Sequence, residues 1–264
     1  MSRFRAAGLG FTPTAALLAT GLLLLGCGSA GSTSSAPAPG GSSGSTSSSP
    51  SQTSTGGGSG LDTALFPATV GNTWVYNDTL AGHAGGTTSN MITAVTPNSA
   101  GEQVTIANRA NISGLPTTAT TLTYQFNSDG SIQVPYAQVG NSQVTIKLKS
   151  GGIVWPSRAI LDSGQPHTST LTVQITLAGH SYTVVAHVTV KGGGTQSVTV
   201  PAGTYQATVV DESISEHFAG ITLVINVTTW LANGVGPVKS VTSTKAGGVS
   251  QIVGTEVLQS FKHG

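Results

Sequence analysis

The 264-residue sequence has few charged residues, few aromatic residues and a single cysteine. Charged residues make up 7% of the chain, against roughly 25% in a typical globular protein. Because Cys27 is the only cysteine, no disulfide bond within the chain can stabilise the fold. The lysines and arginines form no cluster that could neutralise a row of phosphates, so we expect no nucleic-acid partner.

Residues 1–26 have the pattern of an export signal. Arg3 and Arg5 precede an apolar run that extends from Ala15 to Leu25. This run is too short to cross a bilayer as a helix, because each residue adds ~1.5 Å and the bilayer core is ~30 Å thick. We therefore expect a signal peptide that is removed from the mature protein.

Leu24-Leu25-Gly26-Cys27 resembles the lipobox of bacterial lipoproteins, although Leu25 is less usual at its position than alanine or serine. The resemblance implies that cleavage follows Gly26 and that Cys27 carries a diacylglycerol thioether. Two acyl chains are sufficient for stable anchoring. The protein would then lie outside the cytoplasm, attached through Cys27 to the cell membrane or the outer membrane. The alternative is an ordinary secretory signal with an accidental cysteine.

Residues 27–60 are expected to form a tether between the anchor and a folded domain. After Cys27 the segment contains only Gly, Ser, Thr, Pro, Ala and Gln. Such a composition offers little apolar surface to offset the entropy lost on ordering. We expect a disordered spacer with an end-to-end distance of ~30 Å, followed by a single monomeric domain at 61–264.

Apolar and polar residues alternate along much of this domain. Leu171, Val173 and Ile175 alternate with Thr172 and Gln174, and about a dozen similar segments occur from residue 61 onward. A period of two is typical of half-buried strands, and no segment has a convincing helical period. Because an apolar sheet face must pack against something, we predict a mainly β domain whose antiparallel, curved sheet forms a barrel or half-barrel. A two-sheet β-sandwich is the alternative.

Three stretches support a family resemblance: LFPATVGNTWVY at 65–76, VTVPAGTY at 198–205 and WLANGVGPVKS at 230–240. In this order they resemble the TapB-like lipoproteins, a group of exported bacterial proteins of uncharacterised function. The third stretch departs from the group's pattern at Leu231 and Asn233. The resemblance implies a β-rich envelope lipoprotein, and it brings no catalytic residues.

We expect the distinctive residues of these motifs to have structural roles. Trp74 and Tyr76 share one face of a strand, as buried anchors would. Pro201 suits the start of a turn and Gly203 a positive φ after it, which predicts a three-residue hairpin with a glycine bulge. Turns are also predicted at Asn233-Gly234 and at Gly236-Pro237, and Trp230 is expected to have a structural role.

The strongest candidate for a chemical site is DESISEH at 211–217. Glu212 and Glu216 are predicted to share one strand face, ~13 Å apart, which is too far for them to share a proton or one ion. We expect a solvated edge-strand cluster. A divalent metal or general-base role for Glu212, Glu216 and His217 is the weaker alternative. We predict no catalytic residue, no bound metal and no cofactor.

Three hypotheses about function follow. The first is a non-catalytic envelope protein that binds an apolar, lipid-like ligand or another envelope component. The second is a structural or protein-interaction module without a small ligand. The third is a hydrolase that acts on envelope material. Whether the barrel interior is packed or hollow should discriminate the first from the second.

Overall fold

The computed structural model describes residues 65–81, 85–113, 117–134, 139–140, 144–177, 180–218, 221–246 and 249–264. They form fourteen strands and one short helix, which confirms the prediction of a mainly β fold. The predicted signal peptide, Cys27, the predicted tether and residues 61–64 lie outside the described residues.

The first seven strands are β1 (Thr73–Leu80), β2 (Gly86–Asn98), β3 (Gly101–Ile112), β4 (Thr118–Asn127), β5 (Ile132–Val134), β6 (Val139–Gly140) and β7 (Val144–Gly151). The others are β8 (Ile153–Trp155), β9 (His167–Leu177), β10 (His180–Val200), β11 (Gly203–Phe218), β12 (Ile221–Ala232), β13 (Gly236–Ala246) and β14 (Val249–Lys262). The helix α1 (Arg158–Ser163) lies between β8 and β9. Among the described residues, no helix is long and apolar enough to span a bilayer.

All fourteen strands belong to one sheet, in the order β6-β7-β9-β10-β11-β12-β13-β14-β1-β2-β3-β4-β5-β8. Every pairing between neighbours is antiparallel. The sheet curls into a nearly closed barrel, so the barrel prediction is confirmed over the sandwich alternative.

The alternation read from the sequence determines which face of each strand is inside. Along β9, Leu171, Val173 and Ile175 are at most 2% exposed, and the threonine and glutamine between them are partly solvated. The same pattern along β3 places Val104 and Ile106 inside. Burial of these aliphatic side chains stabilises the barrel by about 1.5–3 kcal/mol for each fully buried one.

The sheet closes where the chain passes from β7 to β8. β7 pairs with β9, whereas β8 pairs with β5, so one bent segment joins the two ends of the sheet. Gly151, at the bend, has a φ of 75°. A Cβ atom at Gly151 would lie 2.0 Å from the backbone oxygen of Thr170. Glycine is therefore required at this position.

The two ends of the barrel differ. At one end, called here the terminal end, lie residues 65–72, the C-terminal Gly264 and the β10–β11 and β12–β13 turns. The opposite end, called the rim, is formed by strand ends that the register brings together: Leu80, Ile112, Leu177, Phe218 and Ala246.

Gly151→Ala should destabilise the protein strongly, because the added methyl group meets the Thr170 carbonyl at the closing bend. We expect the free energy of unfolding to fall by about 3 kcal/mol or more, to be measured by urea denaturation. Gly194→Ala is the matched control: Gly194 has a φ of 78°, but a Cβ there would meet nothing within 4 Å. It should cost only about 1–2 kcal/mol. Equal losses for the two variants would contradict the proposed role of Gly151.

Candidate functional site

Two of the three sequence motifs are joined by hydrogen bonds at the terminal end. Trp74, on β1, donates its indole N–H to the backbone oxygen of Val235. Tyr76 donates its hydroxyl to the backbone oxygen of Pro237, at 3.0 Å. Both rings face the interior and are at most 5% exposed. The first motif thus holds the β12–β13 turn, which belongs to the third motif.

The second motif joins the same cluster from β10 and β11. Val200 pairs with Gly203, so the turn contains two residues and the predicted three-residue turn is wrong. Gly203 has a φ of 141°, which is a region that favours glycine. The N–H of Ala202, the residue between Pro201 and Gly203, donates to the Leu258 oxygen at 3.1 Å. Leu258 pairs with Tyr76, which links this turn to the first motif.

The remaining motif residues have different positions. Trp230 is partly buried on the outer face of β12, with its indole N–H 3.1 Å from the side-chain oxygen of Gln196. The Lys239 ammonium lies 4.8 Å from the centroid of the Trp230 ring. Gly234, with a φ of 72°, lies in the β12–β13 turn, and Gly236 follows the turn beside the Trp74 indole.

An aromatic cluster fills the interior at the terminal end. The ring of Phe66 lies 5.5–5.6 Å from the rings of Trp74, Tyr124 and Phe126. Phe261 stacks on the other side of Trp74, with centroids 5.2 Å apart. The segment that precedes β1 therefore supplies a core side chain, Phe66. Aromatic contacts of this kind add about 0.5–1.5 kcal/mol each beyond area burial.

The acidic cluster at 211–217 does not lie on a solvated edge, and that expectation is wrong. β11 is paired on both sides, with β10 and with β12. Glu212 and Glu216 face the interior and are 4% and 3% exposed. His217 lies exposed on the outer face, where its Nδ1 is 3.2 Å from the hydroxyl of Thr222. The sheet therefore separates His217 from the two glutamates with which it was grouped as a candidate metal site.

Glu212 is a buried carboxylate with one hydrogen-bond donor. The indole N–H of Trp155 donates to its Oε2 at 3.2 Å, whereas its Oε1 is buried without a hydrogen-bond partner. Burial raises the pKa of Glu212 to about 7. The hydrogen bond from Trp155 lowers this pKa, but its effect is smaller than that of burial. Burial also raises the pKa of Glu216 to about 7.

A second pair of acids, which the sequence reasoning missed, lies on β1 and β14. Asp78 is directly opposite Glu256 in the antiparallel register. Asp78 accepts a hydrogen bond from the Thr88 hydroxyl at 2.6 Å, and burial raises its pKa to about 6. Burial, and secondarily the charge of Asp78, raise the pKa of Glu256 well above its usual range. The alternation Trp74, Tyr76, Asp78 could have revealed that Asp78 faces the interior.

An internal cavity of about 40 Å³ lies beside Glu256. Aromatic residues line one part, and polar residues line the other, namely Asn90, Thr229, Lys239, Ser240 and Glu256. This volume admits one to a few water molecules. Among the described residues, no group of three or more His, Cys, Asp or Glu side chains is arranged to hold a metal ion.

A family model described as DUF3108-like matches residues 69–258. The chain belongs to this family. Its fold is similar to that of a Bacteroides fragilis protein described as a candidate exported protein with a YmcC-like fold, with a TM-score of 0.50 and 16% identity. It is also similar to a candidate lipoprotein of Parabacteroides distasonis, with a TM-score of 0.54 and 19% identity.

Each alignment covers 75% of this chain and 98% of the other chain. At these identities the similarity shows the fold alone. No curated protein matches the chain. The more specific TapB-like resemblance, inferred from the three motifs, stays a prediction.

Glu212→Gln should stabilise the protein at pH 8 and have little effect at pH 4. A carboxyl group whose pKa is higher in the folded state than in the unfolded state favours folding below the unfolded pKa. That advantage is lost as the pH rises from about 4.5 to about 7. The glutamine amide does not ionise, and its oxygen can still accept the Trp155 bond. We expect a gain of about 3 kcal/mol at pH 8, measured by urea denaturation across this range.

Glu102→Gln provides the control, because Glu102 is only partly buried. It should leave the pH profile of stability almost unchanged. If Glu212→Gln destabilised the protein at pH 8, or left the pH profile the same as in the original protein, the carboxylate of Glu212 would not carry the predicted burial cost.

Proposed function

We propose that this protein is a lipid-anchored protein on the extracytoplasmic side of a bacterial membrane, and that it acts by binding an envelope component without catalysis. The observation that carries the proposal is the order of its N-terminal segments. A short apolar run ends at Leu24-Leu25-Gly26-Cys27, and an uncharged spacer connects this site to the barrel. The similarity in fold to a candidate exported protein and a candidate lipoprotein supports the same location.

The environment of the polar side chains supports a non-catalytic function. Glu212 and Glu216 face the barrel interior and are buried, and the cavity beside Glu256 is too small to admit a substrate much larger than water. On the outer face, the Asp211 carboxylate accepts a hydrogen bond from the Thr228 hydroxyl at 2.8 Å. One of its oxygens is therefore already bonded to the neighbouring strand. The hydrolase hypothesis therefore ranks last.

The cavity also bears on the choice between a ligand carrier and an interaction module. Pockets for small-molecule ligands usually have volumes of about 300–1,000 Å³, whereas the interior cavity beside Glu256 has about 40 Å³. A larger hollow of about 520 Å³ is shallow and open to solvent, among exposed residues of β1–β4 such as Met91 and Arg109. The aromatic cluster around Phe66 and Trp74 occupies the terminal end. We therefore favour an interaction module, with a monomeric domain, over a carrier of an apolar ligand.

Cys27→Ala should release the protein from the membrane, because alanine has no sulfur to which a diacylglycerol could be attached. Cells that express the original and variant chains would be fractionated after labelling with a radioactive fatty acid. We expect the original chain to be labelled and to sediment with membranes, and the variant to be unlabelled and soluble or retained as an unprocessed precursor.

Ser29→Ala, two residues farther along the chain, is the control and should remain labelled and membrane-bound. Fatty-acid label on the Cys27→Ala chain, or an unlabelled original chain, would show that Cys27 is not the lipid attachment site.

Native mass spectrometry of the purified full chain should show no bound lipid beyond the covalent anchor. The reason is that the interior cavity beside Glu256, at about 40 Å³, is too small for an acyl chain. The mass should be the same before and after extraction with organic solvent, and fluorescent fatty acids should not bind. A mass that falls on extraction by the weight of a lipid would instead support the carrier hypothesis.

A further inference from the structure

We propose that Asp78, Glu256 and Ser240 form a binding site for a hard divalent cation inside the barrel, and that Ca²⁺ is the ion that fits best. The proposal concerns the barrel interior and does not depend on the lipid anchor.

The three side chains lie in one row across adjacent strands. Glu256 on β14 is directly opposite Asp78 on β1, and on its other side it is directly opposite Ser240 on β13. Side chains that are directly opposite on one face have Cβ atoms about 4.5–5.5 Å apart. A cation held by Glu256 would therefore have Asp78 on one side and Ser240 on the other.

Two of these side chains have buried oxygens without a hydrogen-bond partner. Asp78 is 7% exposed and Ser240 is 5% exposed. The Oδ1 of Asp78 and the Oγ of Ser240 have no partner, whereas the other oxygen of Asp78 is occupied by Thr88. Unsatisfied buried polar atoms are rare in native proteins and need an explanation. A bound cation would satisfy both.

Among the described residues, no ion pair with a cationic side chain compensates the carboxylates of Asp78 and Glu256. The buried polar side chains of the described residues include no lysine, arginine or histidine. Lys239 is the nearest candidate in sequence, since it precedes Ser240, but its ammonium lies against the Trp230 ring on the outer face. Buried charges in proteins are normally paired or coordinate a metal.

The ligand atoms are all oxygens, which suit Ca²⁺ and Mg²⁺ better than transition metals. Glu256 can supply two oxygens, and Asp78 and Ser240 can supply one each. Ca²⁺ takes six to eight oxygen ligands and tolerates irregular geometry. Water molecules in the adjacent cavity, which Glu256 and Ser240 line, can supply the remainder.

A line of polar side chains connects this cavity to the surface. Asn90, which lines the cavity, accepts a hydrogen bond from the Asn108 amide at 2.7 Å. Asn108 in turn accepts from the Thr120 hydroxyl at 3.3 Å, and Thr120 is exposed. Within the described residues, β4 pairs with β5 only at Gln125 and Phe126, so its Thr120 end lies beside an opening in the barrel wall. An ion could enter by this route.

The test is thermal unfolding of the purified full chain in detergent, with increasing CaCl₂. For a Kd near 1 mM, about 10 mM Ca²⁺ should raise the Tm by roughly 3–6 °C in a saturable manner. NaCl at equal ionic strength should have no such effect. Tb³⁺ provides a second readout, because the nearby Trp74, Trp155, Tyr76 and Tyr124 rings, which line the cavity, should sensitise its luminescence.

Variants locate the site. Glu256→Gln should abolish the Ca²⁺-dependent rise in Tm and the Tb³⁺ signal, and Ser240→Ala should weaken both. Ser240→Ala only removes an unpaired hydroxyl, so it should fold even if Glu256→Gln does not. Glu212→Gln is the matched control: it makes the same change at another buried carboxylate and should leave Ca²⁺ binding intact.

The proposal would be overturned if the original chain showed neither a Ca²⁺-dependent rise in Tm nor Tb³⁺ luminescence. The cost of burying Asp78 and Glu256 would then be offset by protonation of their carboxyl groups and not by a cation. It would also be overturned if Ser240→Ala and Glu256→Gln both responded to Ca²⁺ as the original chain does, or if Glu212→Gln lost the response.

Discussion

The bend at Gly151 and Gly152 is the constraint on which the rest of the barrel depends. It allows one segment to pair with β9 and then, as β8, with β5, so that the sheet acquires an interior. Once the interior exists, every second residue of each strand must either fill it or line it. The aromatic cluster at the terminal end and the row of acids on β1 and β14 both follow from this requirement. Without closure, Asp78 and Glu212 would lie on an open sheet face, where water could solvate them at little cost.

The interior is unusual because it contains carboxylates where aliphatic side chains would give more stability. Desolvating an ionised carboxyl group costs several kcal/mol unless a cation or hydrogen bonds compensate it. Glu212 has one donor, from Trp155, and Asp78 has one, from Thr88. Proteins break the general rules of core composition mainly at functional sites. Glu256, which lines the cavity, and Asp78 opposite it are where this core departs most from those rules, and the proposed cation site would compensate their burial.

The sequence was sufficient to predict the fold class because the alternation of apolar and polar residues is local information. The same alternation predicted that Glu212 and Glu216 share a face and that Trp74 and Tyr76 are buried. The alternation could not show whether the face shared by Glu212 and Glu216 points into the barrel or toward solvent, because that depends on which strands pair with β11. The pairing of Asp78 with Glu256 joins residues from opposite ends of the domain. Register shifts lie on both sides of Glu256, because β14 has an extra residue at Gln259 against β1 and at Val253 against β13. Such contacts depend on tertiary registration, which periodicity does not specify.

The arrangement at the terminal end has a mechanical consequence. The N-terminal segment carries Phe66 into the aromatic cluster, and Asn72 accepts a hydrogen bond from the backbone N–H of Gly264 at 3.0 Å. From there β1 runs toward the rim between β14 and β2, with backbone pairing on both sides. Tension applied through the N-terminal segment, away from this end, acts along β1. This tension strains the backbone hydrogen bonds of β1 to β14 and to β2 at the same time, instead of breaking them one after another. A strand held in this shearing geometry resists force better than one that can be peeled from an edge, which would suit the N-terminal attachment proposed above.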